Sequence, residues 1–144
     1  MIEEFLPLDP DDIRYLHDEQ IELYDGVYGE VESGLIDYMA EKPFLVSFGL
    51  DMYPTLFLKA AVYLDGFAKN QYFSDGNKRT GVICCLTFLA INGYQLTVTD
   101  YELYEFAMKV AESSDPTNED LEEIPIEEIA QWLEDNSILN LSYI

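Results

Sequence analysis

The strongest constraint on the fold is a long apolar segment in the middle of the chain. From Val82 to Ile91 the only polar residue is Thr87, and the segment is preceded by Gly81 and followed by Asn92 and Gly93. The segment is too short to span a bilayer, and a helix that is apolar on nearly every face is buried inside a protein. We therefore predict a central helix that begins near Asn77 and ends at Gly93.

The rest of the chain also has helical spacing. Asp9 followed by Pro10 is a typical helix start, with a capping side chain and a proline in the first turn. The predicted helices are 9–26, from 33 or 34 to 42, 54–69, 77–93, from 99 or 100 to 113, and 126–136. Between them we predict a loop or short hairpin at 44–53, an extended piece at 95–99 and a polar linker at 113–120. The predicted fold is an all-α bundle with at most one small β element, in a single domain over residues 1–144.

Charge narrows the class of function. Of 144 residues, 29 are acidic and 7 are Lys or Arg, so the formal net charge is −22. Such a chain repels nucleic-acid phosphates and anionic membrane surfaces, so we expect neither as a partner. Acidic residues stand where a signal peptide would be basic, and the adjacent Cys84 and Cys85 are typical of two buried thiols rather than a disulfide or a zinc site. We therefore expect a cytoplasmic protein.

The few basic residues are concentrated in one region. Lys59, Lys69, Lys78 and Arg79 are four of the seven, and they fall in a chain that is otherwise acidic. This concentration predicts a focused anion site rather than a general surface charge.

The anion site is predicted at the sequence DGNKR, residues 75–79, directly before the apolar helix. Free backbone N–H groups and the positive end of the helix dipole point into such a turn, and Gly76 lets a ligand approach the backbone closely. Lys78 and Arg79 add positive charge. Asp75 either caps the helix or binds Mg²⁺, which normally takes one or two carboxylates together with phosphate oxygens. An ordinary capped helix start fits the same residues, whereas a Walker P-loop is excluded because GxxxxGK[ST] does not occur.

The surrounding sequence resembles the signature of the Fic/Doc superfamily, H-x-F-x-[DE]-[AG]-N-[GK]-R, in its Doc, or death-on-curing, branch. The matching residues are Phe73, Asp75, Gly76, Asn77, Lys78 and Arg79, followed by Thr80. Further likeness lies at Leu16 and His17, at 24–26, at 32–36 and on both sides of the motif. The resemblance covers nearly the whole chain and is weakest at 113–125.

The resemblance implies a mainly helical protein that transfers AMP, or in the Doc branch phosphate, to a hydroxyl of a target protein. The implied ligands are ATP or another nucleoside triphosphate and Mg²⁺, the latter held by Asp75. Arg79 would pair with a phosphate oxygen, Phe73 would anchor the loop in the core, and 44–53 would be a flap that aligns the target. The residues implied to bind the nucleotide are Phe73, Ser74, Gly76, Asn77, Lys78 and Arg79.

The sequence departs from the family where a general base is needed. The histidine that would take the proton from the attacking hydroxyl is replaced by Gln71, whose amide has no accessible basic form. His17, the only histidine, lies on the apolar face of the first helix and is predicted to be structural. The family's autoinhibitory motif, [ST]-x-x-x-E-[GN], is absent, so restraint would come from a separate antitoxin-like partner or would be unnecessary.

Three functions are compatible with this motif. The first is a slow Doc-like transferase in which Gln71, Asp75 and Arg79 are the catalytic positions. The second is a pseudoenzyme that binds nucleotide or a partner protein without turnover. The third is a structural or interaction protein with an empty site, which the retained charged residues of the motif argue against.

Overall fold

The computed structural model describes residues 4–143, and six α-helices dominate them. The helices are α1 (Pro10–Tyr24), α2 (Leu35–Glu41), α3 (Leu56–Lys69), α4 (Asn77–Ile91), α5 (Asp100–Ser113) and α6 (Ile126–Asp135). Strand β1 (Val46–Ser47) pairs antiparallel with β2 (Leu50–Asp51), and β3 (Tyr94–Leu96) pairs antiparallel with β4 (Ser137–Leu139). The all-α prediction and the hairpin at 44–53 are confirmed. The predicted domain ends, residues 1 and 144, lie outside the described residues, and the single-domain interpretation stays a prediction.

Helices α3 and α4 together form the centre of the bundle, and the position of α4 agrees with its apolar sequence. Helix α4 packs against α1, α3 and α5, and α3 packs in turn against α6. Phe88 and Leu89 are buried, as are the free thiols of Cys84 and Cys85. Burial raises the pKa of the Cys85 thiol to about 12, so the group stays protonated near neutral pH. Among the described residues, no helix is long and apolar enough to cross a membrane.

The helix starts follow from local capping side chains. Asp9 and Asp12 form a capping box at α1, and Thr99 and Glu102 form another at α5. Helix α3 begins after Thr55, whose hydroxyl accepts from the Leu58 N–H, so the predicted start at Pro54 is one residue too early for the cap. The remaining predicted boundaries agree with the structure to within a few residues.

Strand β4 was not predicted. The extended piece predicted at 95–99 overlaps its partner strand, β3. Its register pairs Tyr94 with Leu139 and Leu96 with Ser137. Such pairing depends on a partner far away in the chain, so a short strand leaves little local signal. The β3–β4 ribbon joins the end of α4 to the end of α6.

Candidate phosphate-binding site

The loop that joins α3 to α4 carries the motif, and its last residue sets the direction of α4. Gly76 is the N-cap of α4 in the left-handed conformation, with φ 77° and ψ 20°. A Cβ atom here would lie 3.1 Å from Ile21 Cδ1, so both the backbone and the space favour glycine. No side chain caps α4, and the interpretation of Asp75 as the helix cap is therefore wrong.

The first N–H groups of α4 are left without intramolecular partners. The first backbone hydrogen bond of the helix runs from the Thr80 N–H to the Gly76 carbonyl, at 2.9 Å. Among the described residues, the N–H groups of Asn77, Lys78 and Arg79 have no acceptor. Such groups, together with the helix dipole, attract anions.

A cavity of about 340 Å³ lies over this helix start. The structure brings six of the predicted site residues to its lining, namely Gln71, Ser74, Asp75, Gly76, Asn77 and Lys78. Lys78 is exposed and has no ion partner among the described residues. The cavity therefore combines free N–H donors, an available ammonium group and one carboxylate.

Phe73 lies beneath this cavity rather than in its wall. It is 2% exposed, and its ring stacks on His17 and lies 6.0 Å from the Phe67 ring. Asn77 clamps the loop above it, because the Asn77 side chain accepts from the Phe73 N–H and donates to the Phe73 carbonyl, both at 2.9 Å. The Asn77 amide is thus occupied by the loop, and only its backbone N–H is free for a ligand.

Asp75 is held at both carboxylate oxygens. Oδ1 accepts from the Gly76 N–H at 2.8 Å, and Oδ2 accepts from the Val27 N–H at 3.0 Å. Gly26 must be small for this contact, since a Cβ atom there would lie 2.7 Å from Asp75 Oδ2. The carboxylate is therefore fixed in place while it remains exposed to the cavity.

A segment far from the motif in sequence supports the loop from the side. The Val31 N–H donates to the Tyr72 carbonyl, and the Ser74 N–H donates to the Gly29 carbonyl, each at 2.9 Å. Glu30 lies between these bonds and pairs with Arg14 of α1 at 3.1 Å. The sequence did not predict this support, because residues 29–31 carry no motif of their own and only the neighbouring turn at 24–26 resembles the family.

Arg79 points away from the cavity over the helix start. Its guanidinium carbon lies 4.0 Å from the Tyr24 ring centroid and 4.8 Å from that of Tyr104. This stack lines a separate cavity of about 770 Å³ between α1, α4 and α5. The predicted pairing of Arg79 with a phosphate oxygen stays a prediction, and the structure does not place Arg79 with the other site residues.

The four basic residues between 59 and 79 do not lie together in the structure. Lys59 is buried, donates to the Pro43 carbonyl at 3.0 Å and lies over the Phe44 ring, and burial lowers its pKa. The anion site therefore does not contain all four cations that the sequence placed close together.

Lys69 lines the cavity but is already paired. Its Nζ lies 2.7 Å from Asp65 Oδ1 and 3.0 Å from Glu123 Oε1, and it donates to the Ile124 carbonyl at 2.8 Å. Asp65 Oδ1 is poorly aligned for a hydrogen bond with Lys69, but the short distance between the two atoms makes Lys69 and Asp65 a close ion pair. Burial lowers the pKa of Lys69, yet the contacts with Asp65 and Glu123 outweigh burial and leave it above its ordinary value.

Comparison with known proteins gives the family. Residues 7–89 match the Fic/DOC family. The chain belongs to the Fic/DOC family. It is 46% identical over 63 residues to Toxin Doc of Mycolicibacterium smegmatis (strain ATCC 700084 / mc(2)155), covering 44% of this chain and 48% of that protein, so the match spans about half of the toxin. It is 30% identical over 89 residues to Protein kinase doc of Escherichia phage P1, covering 62% of this chain and 70% of that protein.

Within this Fic/DOC chain, Gln71, at the position where the family resemblance predicts a base, is exposed and polar. The Gln71 amide Nε2 lies 3.4 Å from the Ser74 carbonyl, a long contact that leaves the side chain free to turn. His17 does not replace the base, because its Nε2 is engaged with the Asp75 carbonyl beneath the loop. Tyr72 is half-buried, and burial, assisted by Tyr38 and Asp65, raises its pKa, so the phenol stays protonated at neutral pH and has no basic form available.

Proposed function

We propose that this Fic/DOC protein binds the phosphates of ATP or another nucleoside triphosphate with Mg²⁺ at the start of α4. It transfers phosphate or AMP from that nucleotide to a hydroxyl of a target protein, slowly because Gln71 replaces the base. The observation that carries the proposal is the set of unpartnered N–H groups of Asn77, Lys78 and Arg79 beside the free Lys78 ammonium. Phosphate oxygens satisfy such donors better than any group that the described part of the chain supplies.

A magnesium ion fits this site only together with a phosphate ligand. Among the described residues, no group of three or more His, Cys, Asp or Glu side chains is arranged to hold a metal. Asp75 would be the one protein carboxylate, and phosphate oxygens and water would complete the shell, as is common for Mg²⁺. When bound, the ion would neutralise charge on the phosphates.

The transfer step needs a route for one proton. The hydroxyl oxygen forms a bond to phosphorus, the bond to the leaving ADP or pyrophosphate breaks, and the hydroxyl proton must go to a base or to solvent. Gln71 can orient the hydroxyl by hydrogen bonding but cannot accept this proton. Positioning and electrostatic stabilisation of the phosphate remain available. The relative named Protein kinase doc supports phosphate as the transferred group.

The second candidate is binding of nucleotide, or of a partner protein, without turnover. It is favoured by Gln71 itself, since the loop keeps its anion-binding geometry around a position that lacks a base. The relative named Toxin Doc supports a toxin-like role, and a toxin requires restraint in the cell. We therefore propose an antitoxin-like protein as a partner under either function.

Isotope transfer with wild type and Gln71→His tests the proposal. ATP labelled at the α-phosphate or at the γ-phosphate is incubated with candidate target proteins and Mg²⁺. Gln71→His should raise transfer by about 10²–10⁴, the usual contribution of a positioned base, and the position of the label identifies the group that moves. Asp75→Asn in the Gln71→His background is the matched control, since it removes the charge that would hold Mg²⁺ and keeps one oxygen, which can accept from Val27 or from Gly76 but not from both.

The possible outcomes distinguish the candidates. Equal rates for wild type and Gln71→His would show that the proton leaves by another route. A silent Gln71→His that still binds ATP would favour binding without turnover. No ATP binding by either protein would refute the phosphate site.

A further inference from the structure

His17 of α1 lies directly beneath the motif loop and contacts it in two ways. Its side chain is 1% exposed, and its ring stacks on Phe73 with centroids 3.6 Å apart and planes 8° apart. Nε2 lies 2.9 Å from the Asp75 carbonyl oxygen. Because a carbonyl only accepts, Nε2 carries a proton and donates it. On the other side of the ring, Nδ1 lies 3.0 Å from the exposed carboxylate of Asp18.

This hydrogen bond fixes the orientation of a whole peptide unit. In a trans peptide the carbonyl and the N–H point in opposite directions, and the described residues contain no cis peptide. Since His17 holds the Asp75 carbonyl toward α1, the Gly76 N–H points away from α1, where it donates to Asp75 Oδ1 at 2.8 Å. The second carboxylate oxygen accepts from the Val27 N–H. The direction of the Asp75 carboxylate thus depends on the peptide that His17 holds.

We propose that His17 is a positioning residue for the phosphate site. By holding the peptide between Asp75 and Gly76, it directs the Asp75 carboxylate and the first N–H groups of α4 toward a phosphate-bearing ligand. This inference rests on the proposed function. Packing alone does not require a histidine, because a phenylalanine would also stack on Phe73, and Ile21 already fills the space beneath Gly76. The N–H at the ring edge is what histidine adds to the stack and phenylalanine lacks.

Two substitutions separate the hydrogen bond from the stack. His17→Phe keeps a ring against Phe73 and removes the donor, whereas His17→Gln keeps an amide N–H near the position of Nε2 and removes the ring. Amide hydrogen exchange is measured on the full chain at Gly76 and Val27, whose N–H groups are bound by Asp75. In His17→Phe their exchange should accelerate about tenfold relative to Ser74, and in His17→Gln it should stay near wild type. Ser74 is the internal control, because the Gly29 carbonyl holds its N–H and a general loss of stability would affect it equally.

Calorimetry with ATP and Mg²⁺ supplies the second measurement. Affinity should fall about tenfold in His17→Phe and stay within about threefold in His17→Gln, whichever variant melts at the lower temperature. Two results would overturn the inference and make His17 only a core residue. In the first, both variants lose amide protection and ATP affinity in proportion to their loss of stability. In the second, His17→Phe keeps the amide protection and the ATP affinity of wild type. If wild type does not bind ATP, the proposed function fails, while exchange at Gly76 and Val27 still decides the role of His17.

Discussion

At the scale of single residues, most motif side chains hold the loop rather than face a ligand. Asn77 bonds both polar groups of the Phe73 backbone, and Phe73 is buried on His17. Asp75 ties the loop to Val27 while keeping its carboxylate exposed. The contacts left for an anion come mainly from backbone N–H groups and from Lys78. A sequence signature at such a site therefore reflects the shape of the loop as much as its chemistry.

Lys78 and Arg79 should contribute unequally to nucleotide binding. Lys78 lines the cavity over the helix start, whereas Arg79 is stacked between Tyr24 and Tyr104. Lys78→Ala should lower the affinity for ATP with Mg²⁺ about fivefold to tenfold, as expected for the loss of one charge-assisted contact. Arg79→Ala should change the affinity less than about twofold and instead lower stability by about 1 kcal/mol through the lost cation–π contacts.

Calorimetry and thermal unfolding of both variants provide the measurements, with Lys109→Ala on α5 as a remote lysine control. A larger loss of affinity in Arg79→Ala than in Lys78→Ala would mean that the guanidinium turns toward bound phosphate. The role that the sequence predicted for Arg79 would then be correct.

At the scale of elements, the site depends on contacts between parts distant in sequence. Helix α1 lies beneath the loop, and segment 29–31 pairs with its edge. Lys69 at the end of α3 binds Glu123 and the Ile124 carbonyl, which holds the connection between α5 and α6 against the loop. The polar linker predicted at 113–120 thus leads into a segment that is held by Lys69 and by the Ser113 hydroxyl, which accepts from the Ile124 N–H at 3.0 Å.

Lys69→Met should destabilise the protein by about 3 kcal/mol at neutral pH. The substitution keeps the apolar stem but leaves the Asp65 carboxylate, which is only 12% exposed, without its counter-ion. The double variant Asp65→Asn with Lys69→Met should recover part of this loss, since no unpaired charge remains. Urea unfolding measures all three proteins, and a cost below about 0.5 kcal/mol would show that the ion pair contributes no more than an exposed one.

The same ion pair predicts a dependence of stability on alkaline pH. The pKa of Lys69 is raised in the folded state, so the folded chain keeps this proton to higher pH than the unfolded chain. The contribution of Lys69 is therefore complete below about pH 10, the ordinary lysine pKa, and is lost as pH rises through the folded pKa. Tyr53 and Tyr72 also have raised pKa values and add to the loss of stability at alkaline pH. The test is therefore the difference between wild type and Lys69→Met in how the free energy of unfolding changes with pH. If the free energy of unfolding falls with pH equally steeply in both proteins above about pH 10, Lys69 does not make this contribution.

At the scale of the whole molecule, a strongly negative chain surrounds a small positive site. The net charge of −22 destabilises the compact state through self-repulsion. Salt screens this repulsion over the surface, with a Debye length of about 10 Å at 0.1 M. The same screening weakens the attraction of a nucleotide to Lys78 and to the free N–H groups of α4. Stability and ligand affinity therefore respond to salt in opposite directions.

Raising sodium chloride from about 20 mM to about 300 mM should increase the melting temperature by roughly 3 °C, equivalent to about 1 kcal/mol for a chain of this size. Over the same range the affinity for ATP with Mg²⁺ should fall. Calorimetry and thermal scans at several salt concentrations provide the comparison, with Lys78→Ala expected to show the weaker salt dependence of binding. A melting temperature that falls with salt would mean that surface ion pairs, such as those of Arg14, outweigh the general repulsion.

The sequence by itself determined the six helices and the loop that precedes α4. Capping pairs such as Thr99 with Glu102, the apolar helix after Gly76 and the glycine turn before it are local features, and local free energies decide them. The family likewise followed from a contiguous motif, and residues 7–89 confirm it. In each case the signal lies within a few residues of the structure that it predicts.

Only the tertiary structure decided which side chains work together. Lys59, Lys69 and Arg79 are close in sequence to Lys78, yet the structure separates them. Lys59 is buried, Lys69 is paired with acidic residues, and Arg79 is stacked on tyrosines. The bonds from His17 and Val27 to Asp75 join residues far apart in the chain. The direction of a side chain and its partners depend on how helices pack, and packing is a property of the whole chain that no local pattern encodes.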